Sequence, residues 1–273
     1  MKLLSGSELA GYIKERQARE VRALRQAAHV FPKLAIIRTN PDPVVDSYMK
    51  LKQTYGSDIL IDVEVHTISQ QDAPDRIAEL NADPSVHGII VQIPLPDPAQ
   101  TTEILNTVSP TKDVDGLTEQ TTFDPATPMA INWLLAGYNI QLTGKHIVIV
   151  GHGRLVGRPL AKMWSDSGLD VAVADKQTTD LAAVTQKADI LVTAVGVPEL
   201  ITENMIQPDI TIVDAGVATD KNGLVGDVAA SVRSLPNITI TPEKGGVGPL
   251  TVCALFENVI RAARKTTETS KPL

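Results

Sequence analysis

The chain has 273 residues, 43% of them hydrophobic and 21% charged, with 25 Lys and Arg against 32 Asp and Glu for a net charge of −7. This composition excludes a disordered chain. The acidic balance and the small aromatic content (two Trp, four Tyr, three Phe) argue against phosphate tracking and base stacking, hence against a nucleic-acid partner.

The opening MKLLSGSELAGYIKERQ lacks the apolar stretch of a signal peptide. No run in the chain reaches the ~18 apolar residues that span a bilayer. The expectation is a cytoplasmic protein acting on small molecules, with no membrane partner. Ser5 followed by Glu8 fits a capping box and predicts a helix through Ala28, with Leu9, Ile13, Val21 and Leu24 at helical spacing. Apolar runs at Leu34 to Ile37, Ile59 to Val65 and Gly88 to Ile93 alternate with helical stretches at Val44 to Tyr55, Ala73 to Asn81 and Thr101 to Thr107. That rhythm predicts a parallel sheet covered by helices.

A second series follows the loop Pro110 to Thr127. It runs from a helix over Met129 to Tyr138 to a strand over His146 to Val150, a glycine turn and a helix over Leu155 to Ser167. Strands are expected at Val171–Ala174, Ile190–Ala194 and Ile210–Val213, each a continuous apolar run of the kind buried in a parallel sheet. A final helix is predicted over Thr251 to Arg264, its basic residues Arg261, Arg264 and Lys265 suiting a C-terminus. The fold class is therefore α/β with two domains that change near residue 120. Cys253 is the one cysteine, which excludes an internal disulfide and a cysteine-built zinc site; no metal is expected.

The glycine turn reads Gly151-His152-Gly153-Arg154-Leu155-Val156-Gly157 between a strand and a helix. Glycines there let backbone N–H groups approach a pyrophosphate at a helix N-terminus. The GxGxxxG spacing is one residue longer than the usual dinucleotide fingerprint, and a strand–helix turn without a ligand has the same outline. Asp175 closes the next strand, where a carboxylate typically holds the ribose hydroxyls of NAD; a turn aspartate also fits. Gly245-Gly246-Val247-Gly248-Pro249 precedes the last helix, and Thr193 to Pro198 ends a strand where open α/β sheets place ligands.

Tyr48 and Lys52 stand four apart, on one face of a helix. A lysine doing acid–base work needs a lowered pKa, which burial supplies, and a tyrosine hydroxyl is a fitting partner. Two residues on a solvated face have the same spacing. Gln92 ends a strand before Ile93-Pro94-Leu95-Pro96, whose prolines leave the ladder. Lys112-Asp113-Val114-Asp115-Gly116 puts two acids two residues apart in a loop; the pair fits a metal, although no histidine accompanies it, and equally recognition of an amide-rich ring or a plain acidic turn.

Together these segments resemble the bifunctional methylenetetrahydrofolate dehydrogenase/cyclohydrolase family. Its Tyr-Val-x-x-Lys is Tyr48 to Lys52, preceded by Asp42-Pro43; its Val-Gln-Leu-Pro-Leu-Pro is Val91 to Pro96; its Lys-Asp-Val-Asp-Gly is Lys112 to Gly116. Its Val-Gly-x-Pro is Val156 to Pro159, and its Pro-Gly-Gly-Val-Gly-Pro-Met-Thr becomes Lys244 to Thr251. The resemblance implies a folate-binding catalytic domain, 1–120 with 250–273, and a Rossmann-type NAD(P)-binding domain, 121–249, with a cleft between them and a homodimer. It implies Lys52 as the catalytic base, Tyr48 and Gln92 as its partners and Asp115 as the anchor of the pterin. Val91, Pro94, Leu95, Gly246 and Pro249 would complete the folate site. Gly151, His152, Gly153, Arg154, Val156, Gly157, Asp175, Lys176, Val195, Gly196, Gly216 and Thr251 would hold the dinucleotide.

Several positions depart from the family: Ala126 stands where many members have cysteine, Lys244 where proline is usual, and two stretches differ at the dinucleotide site. Gly-Arg-Ser at the turn is Gly151-His152-Gly153, and the serine of His-Ser-x-Thr is replaced in Asp175-Lys176-Gln177-Thr178. Both family residues help hold the 2′-phosphate of NADP, and their loss, with Asp175 present, speaks for NAD, whereas Lys176 and Arg154 are cations able to neutralise a phosphate. Family likeness implies NADP slightly ahead, with NAD as the alternative and tetrahydrofolate as the one-carbon carrier. The other reading is a non-catalytic or monofunctional paralogue that binds folate or a nucleotide; the retained Lys52 counts against it.

Overall fold

A computed structural model of the protein describes residues 1–41, 43–220 and 223–269; Asp42 lies outside them. The chain divides into two compact units, Met1–Ala10 with Thr127–Thr251, and Gly11–Ala126 with Val252–Leu273.

The chain opens with β1 (Lys2–Leu3) and α1 (Gly6–Ala27), and Ser5 caps α1 by accepting the Glu8 N–H at 3.4 Å. The second unit then takes shape from β2 (Lys33–Arg38), α2 (Pro43–Asp58), β3 (Asp62–Thr67), α3 (Ala73–Ala82), β4 (Gly88–Gln92) and α4 (Thr101–Leu105). Its strands form a parallel sheet in the order β3-β2-β4. Ala35, Ile37, Ile89 and Val91 pack with Ile77 and Leu80 of α3 in one core cluster. Each fully buried aliphatic chain of this kind contributes about 1.5–3 kcal/mol.

The first unit continues through α5 (Ala126–Gly137), β5 (His146–Val150), α6 (Gly157–Asp166), β6 (Asp170–Ala174), α7 (Leu181–Thr185), β7 (Ile190–Thr193) and β8 (Thr211–Asp214). A short antiparallel pair, β9 (Ala218–Asp220) and β10 (Gly223–Val225), and β11 (Thr239–Ile240) precede α8 (Val247–Thr269). The six-stranded sheet is parallel in the order β1-β11-β8-β7-β5-β6. Val148, Val150, Leu191, Ile212 and Ile240 build its core.

The first ten residues cluster with this unit for a visible reason. Lys2 and Leu3 pair with Thr239 and Ile240, and the Ser5 and Ser7 N–H groups donate to the Tyr138 hydroxyl and the Gly245 carbonyl, at 2.9 and 3.0 Å. The basic residues expected to end the last helix lie inside it instead. Arg264 pairs with Glu20 at 2.8 Å, and α8 runs on to Thr269.

Candidate active site

In the second unit the chain order reverses at β2, with β3 on one side and β4 on the other, so loops diverge at the C-terminal ends of β2 and β4. Open α/β sheets bind ligands at such points. Arg38 and Gln92 end these strands in register. At the end of β2 the Arg38 Nε and Thr39 Oγ1 are buried with no partner, unmet polar capacity at the edge that Gln92 occupies.

Lys52 reaches Gln92 from α2. Met49, three residues before it, and Tyr55, three after, are buried, so Lys52 lies on the inward stripe of the helix. Its Nζ donates to Gln92 Oε1 at 2.9 Å. Gln92 Nε2 donates to the Ile93 carbonyl at 3.1 Å, which turns the amide oxygen toward the amine. Burial pulls the Lys52 pKa below the ordinary lysine range, against the opposing pull of the Asp115 carboxylate. Asp115 is shifted the other way. Burial raises its pKa, Lys52 lowers it, and Asp113 adds to the rise. Both effects favour the uncharged forms of the pair. Tyr48 is 38% exposed, and among the described residues the hydrogen bond of the Lys52 amine goes to Gln92, not to the tyrosine.

Asp115 is positioned by residues that carry no chemistry themselves. The Ile89 N–H of β4 donates to the Lys112 carbonyl at 2.7 Å, laying the loop beside the strand. Asp113 is buried and accepts from the N–H groups of Gly116, Leu117 and Thr118, which closes the turn around Asp115. Lys112 Nζ donates to the Leu80 and Asp83 carbonyls at 2.9 and 2.6 Å, closing the C-terminal end of α3. From α8, buried Asn258 donates to the Val114 and Asp124 carbonyls, 2.9 Å each. Asn258→Ala leaves two carbonyls without their donor and is expected to destabilise the protein by about 1–3 kcal/mol, read as a lower denaturation midpoint.

In the first unit the strand order reverses at β5, which lies between β6 and β7. The glycine turn leaves β5 and the loop Ala194 to Pro198 leaves β7, side by side. A Cβ on Gly151, whose φ is +101°, would sit 2.7 Å from the Ala194 carbonyl oxygen. A Cβ on Gly157 would come within 1.8 Å of the Gly151 carbonyl oxygen, so only glycine closes this turn. A Cβ on Gly153 would meet nothing within 4 Å, which leaves the turn open at its middle. His152 and Arg154 are exposed at the turn, Val156 is half-buried, and α6 begins at Gly157.

Asp175 and Lys176 are exposed just after β6. The Asp175 Oδ1 accepts the Gln177 N–H at 2.9 Å, so this carboxylate builds its own turn. Val195 and Gly196 follow β7 and Gly216 follows β8, at the same edge of the sheet. Of the remaining expected residues, Val91 and Leu95 are buried and Pro94 is exposed. Gly246, Pro249 and Thr251 fall in the first unit, at the start of α8.

Residues 4–115 match the catalytic-domain model of tetrahydrofolate dehydrogenase/cyclohydrolase, and residues 125–267 match the NAD(P)-binding-domain model of the same enzyme. The chain belongs to the tetrahydrofolate dehydrogenase/cyclohydrolase family. It is 36% identical to the bifunctional protein FolD of a Nitratiruptor species, over 97% of this chain and 99% of that one. A crystal structure of the bifunctional FolD methylenetetrahydrofolate dehydrogenase/cyclohydrolase from Campylobacter jejuni has 34% identity and a TM-score of 0.91, covering 97% of this chain and 99% of that chain. The Trypanosoma brucei FolD structure, complexed with NADP cofactor and inhibitor, has 26% identity and a TM-score of 0.89, covering 97% of each chain. The two-domain α/β fold expected from the sequence is that of the tetrahydrofolate dehydrogenase/cyclohydrolase family.

The sequence reading gave neither Asp113 nor Asn258 its part in building this site. Asp113 carried a signal, since it stands two residues before Asp115 in a motif already singled out. Asn258 carried none, because its partner Val114 lies 144 residues away.

Proposed function

We propose that the protein oxidises 5,10-methylenetetrahydrofolate to the 5,10-methenyl cation with NAD(P)+ and then hydrolyses that cation to 10-formyltetrahydrofolate. A single observation carries the reading: the desolvated Lys52 amine, held by Gln92 and facing the field of Asp115. The bound dinucleotide supplies the hydride acceptor. No proton leaves the substrate in that step, so the chain's task there is alignment.

The hydrolytic step needs proton transfer. Neutral Lys52 accepts a proton as the water oxygen bonds to the methenyl carbon. The resulting ammonium returns a proton to the ring nitrogen as its bond to that carbon breaks, and the carbinol proton passes to solvent. Gln92 aims the amine, and Asp115 accepts hydrogen bonds from the amino-pyrimidine of the pterin.

Gly151, Gly153 and Gly157 suit the pyrophosphate, because the turn closes only with glycine at its ends and is open at Gly153. Among dinucleotides NADP is the first choice and NAD the alternative, since Asp175 and Lys176 are both exposed at the end of β6. Two copies form the active assembly, supported by the family likeness, the prevalence of C2 symmetry and an edge strand, β6, whose Val173 is 40% exposed. No helix among the described residues is long and apolar enough to cross a membrane, and a lone free cysteine suits a reducing cytoplasm.

The experiment is reduction of NADP+ and of NAD+ by purified protein with 5,10-methylenetetrahydrofolate, followed at 340 nm. Turnover with one or both is expected, with the higher kcat/KM for NADP+. Folate binding without turnover on either dinucleotide would favour the non-catalytic paralogue.

A further inference from the structure

Asp227 is fully buried, and among the described residues no lysine or arginine pairs with it. Its carboxylate accepts four hydrogen bonds instead. Oδ2 takes the Thr193 hydroxyl at 2.6 Å and the Val195 N–H at 2.8 Å; Oδ1 takes the Gly196 and Val197 N–H groups, 2.8 Å each. A second buried carboxylate fixes the backbone that carries Asp227. Asp214 accepts the N–H groups of Gly216, Asp227 and Val228 and pairs with Arg233 at 2.6 Å. The packing leaves no slack, since a Cβ on Gly216 would lie 2.1 Å from the Asp227 carboxyl carbon.

Three successive N–H groups converging on one point form a nest that ordinarily binds an external anion. Here an internal carboxylate fills it. The loop therefore has no amide to offer a phosphate. What it presents outward is apolar: Val195 and Val197 are 44% and 46% exposed, and Val217, beside Gly216, is 58% exposed. Such a surface suits the face of a flat ring and carries no cation to repel an oxidised nicotinamide, and it leaves the pyrophosphate to the glycine turn.

We infer that Asp227 is a positioning residue for the dinucleotide, a built-in anion that sets the loop Val195 to Val197 to receive the nicotinamide carboxamide end. The inference rests on the proposed function, since it needs a nicotinamide dinucleotide at this sheet edge.

The test uses full-length Asp227→Asn and Asp227→Ala. Direct binding of NADPH and NADH is measured by fluorescence, and both activities are assayed. Hydrolysis of methenyltetrahydrofolate without dinucleotide serves as the folding control. Loss of the charge-assisted bonds is expected to raise the dinucleotide Kd and KM about tenfold in Asp227→Asn, with a smaller fall in kcat. In Asp227→Ala the emptied nest is expected to take formate, and millimolar formate should recover most of the lost dinucleotide affinity without affecting the wild type. Wild-type Kd and KM in Asp227→Asn would overturn the inference and leave the proposed function standing. So would a parallel loss of both activities that formate does not reverse. Wild-type protein that binds neither NADPH nor NADH would overturn the proposed function along with it.

Discussion

Lys52→Met is expected to cut hydrolysis of methenyltetrahydrofolate by at least about 100-fold, the usual contribution of a positioned general base. Stopped assays of 10-formyltetrahydrofolate formation read it directly. The protein should fold normally. Burial lowers the Lys52 pKa, so the unfolded chain holds this proton more tightly than the folded one, and burying the amine costs stability at neutral pH. Methionine removes that penalty and fills similar space, although it also removes the hydrogen bond to Gln92. The two effects oppose, and the melting temperature should stay within roughly 2–4 °C of the wild type, about 1 kcal/mol. Dinucleotide reduction should fall less than hydrolysis, because hydride transfer asks no proton of Lys52. Equal losses in both activities would reduce Lys52 to a substrate-binding role.

The second large effect concerns the glycine turn, where two neighbouring substitutions should separate structure from binding. In Gly157→Ala the new Cβ meets backbone at 1.8 Å. The turn must shift, at a cost of about 1–3 kcal/mol or more, and dinucleotide reduction should be lost. In Gly153→Ala the Cβ meets no protein atom within 4 Å. The fold should be untouched, with an unchanged melting curve, yet the methyl group stands where a dinucleotide backbone approaches. The dinucleotide KM should rise about tenfold or more, by analogy with losing roughly 1.4 kcal/mol of binding. Methenyl hydrolysis should survive in both. A Gly153→Ala enzyme with wild-type KM would show that the pyrophosphate binds elsewhere.

These expectations draw on residues of unequal legibility. The strand His146 to Val150 reads directly from the chain, because a buried parallel strand is a continuous apolar run and the glycine turn marks its end. Lys52, Gln92 and Asp115 are also legible as residue types in motifs. The two-residue strands β1 and β11 are not, since their pairing joins Lys2 to Thr239 across nearly the whole chain and leaves no periodicity. The end of α8 misled for a related reason: Arg264 answers to Glu20 on another helix, not to the helix terminus. Asp113, Asn258 and Asp227 hold the working loops in place through backbone groups. A side chain that bonds to backbone leaves no complementary residue type in the sequence to betray its partner.

The central claim is that burial lowers the Lys52 pKa in the folded protein and so makes its uncharged amine available as the base. Lysine NMR with 13C and 15N labels, titrated against pH and compared with Lys52→Met, measures it. One signal, absent from the variant, should titrate well below the ordinary lysine value of about 10.4, and the rate of methenyl hydrolysis should climb with pH through that same midpoint and then level off. A Lys52 signal titrating at the ordinary value, with hydrolysis indifferent to its charge, would contradict the account.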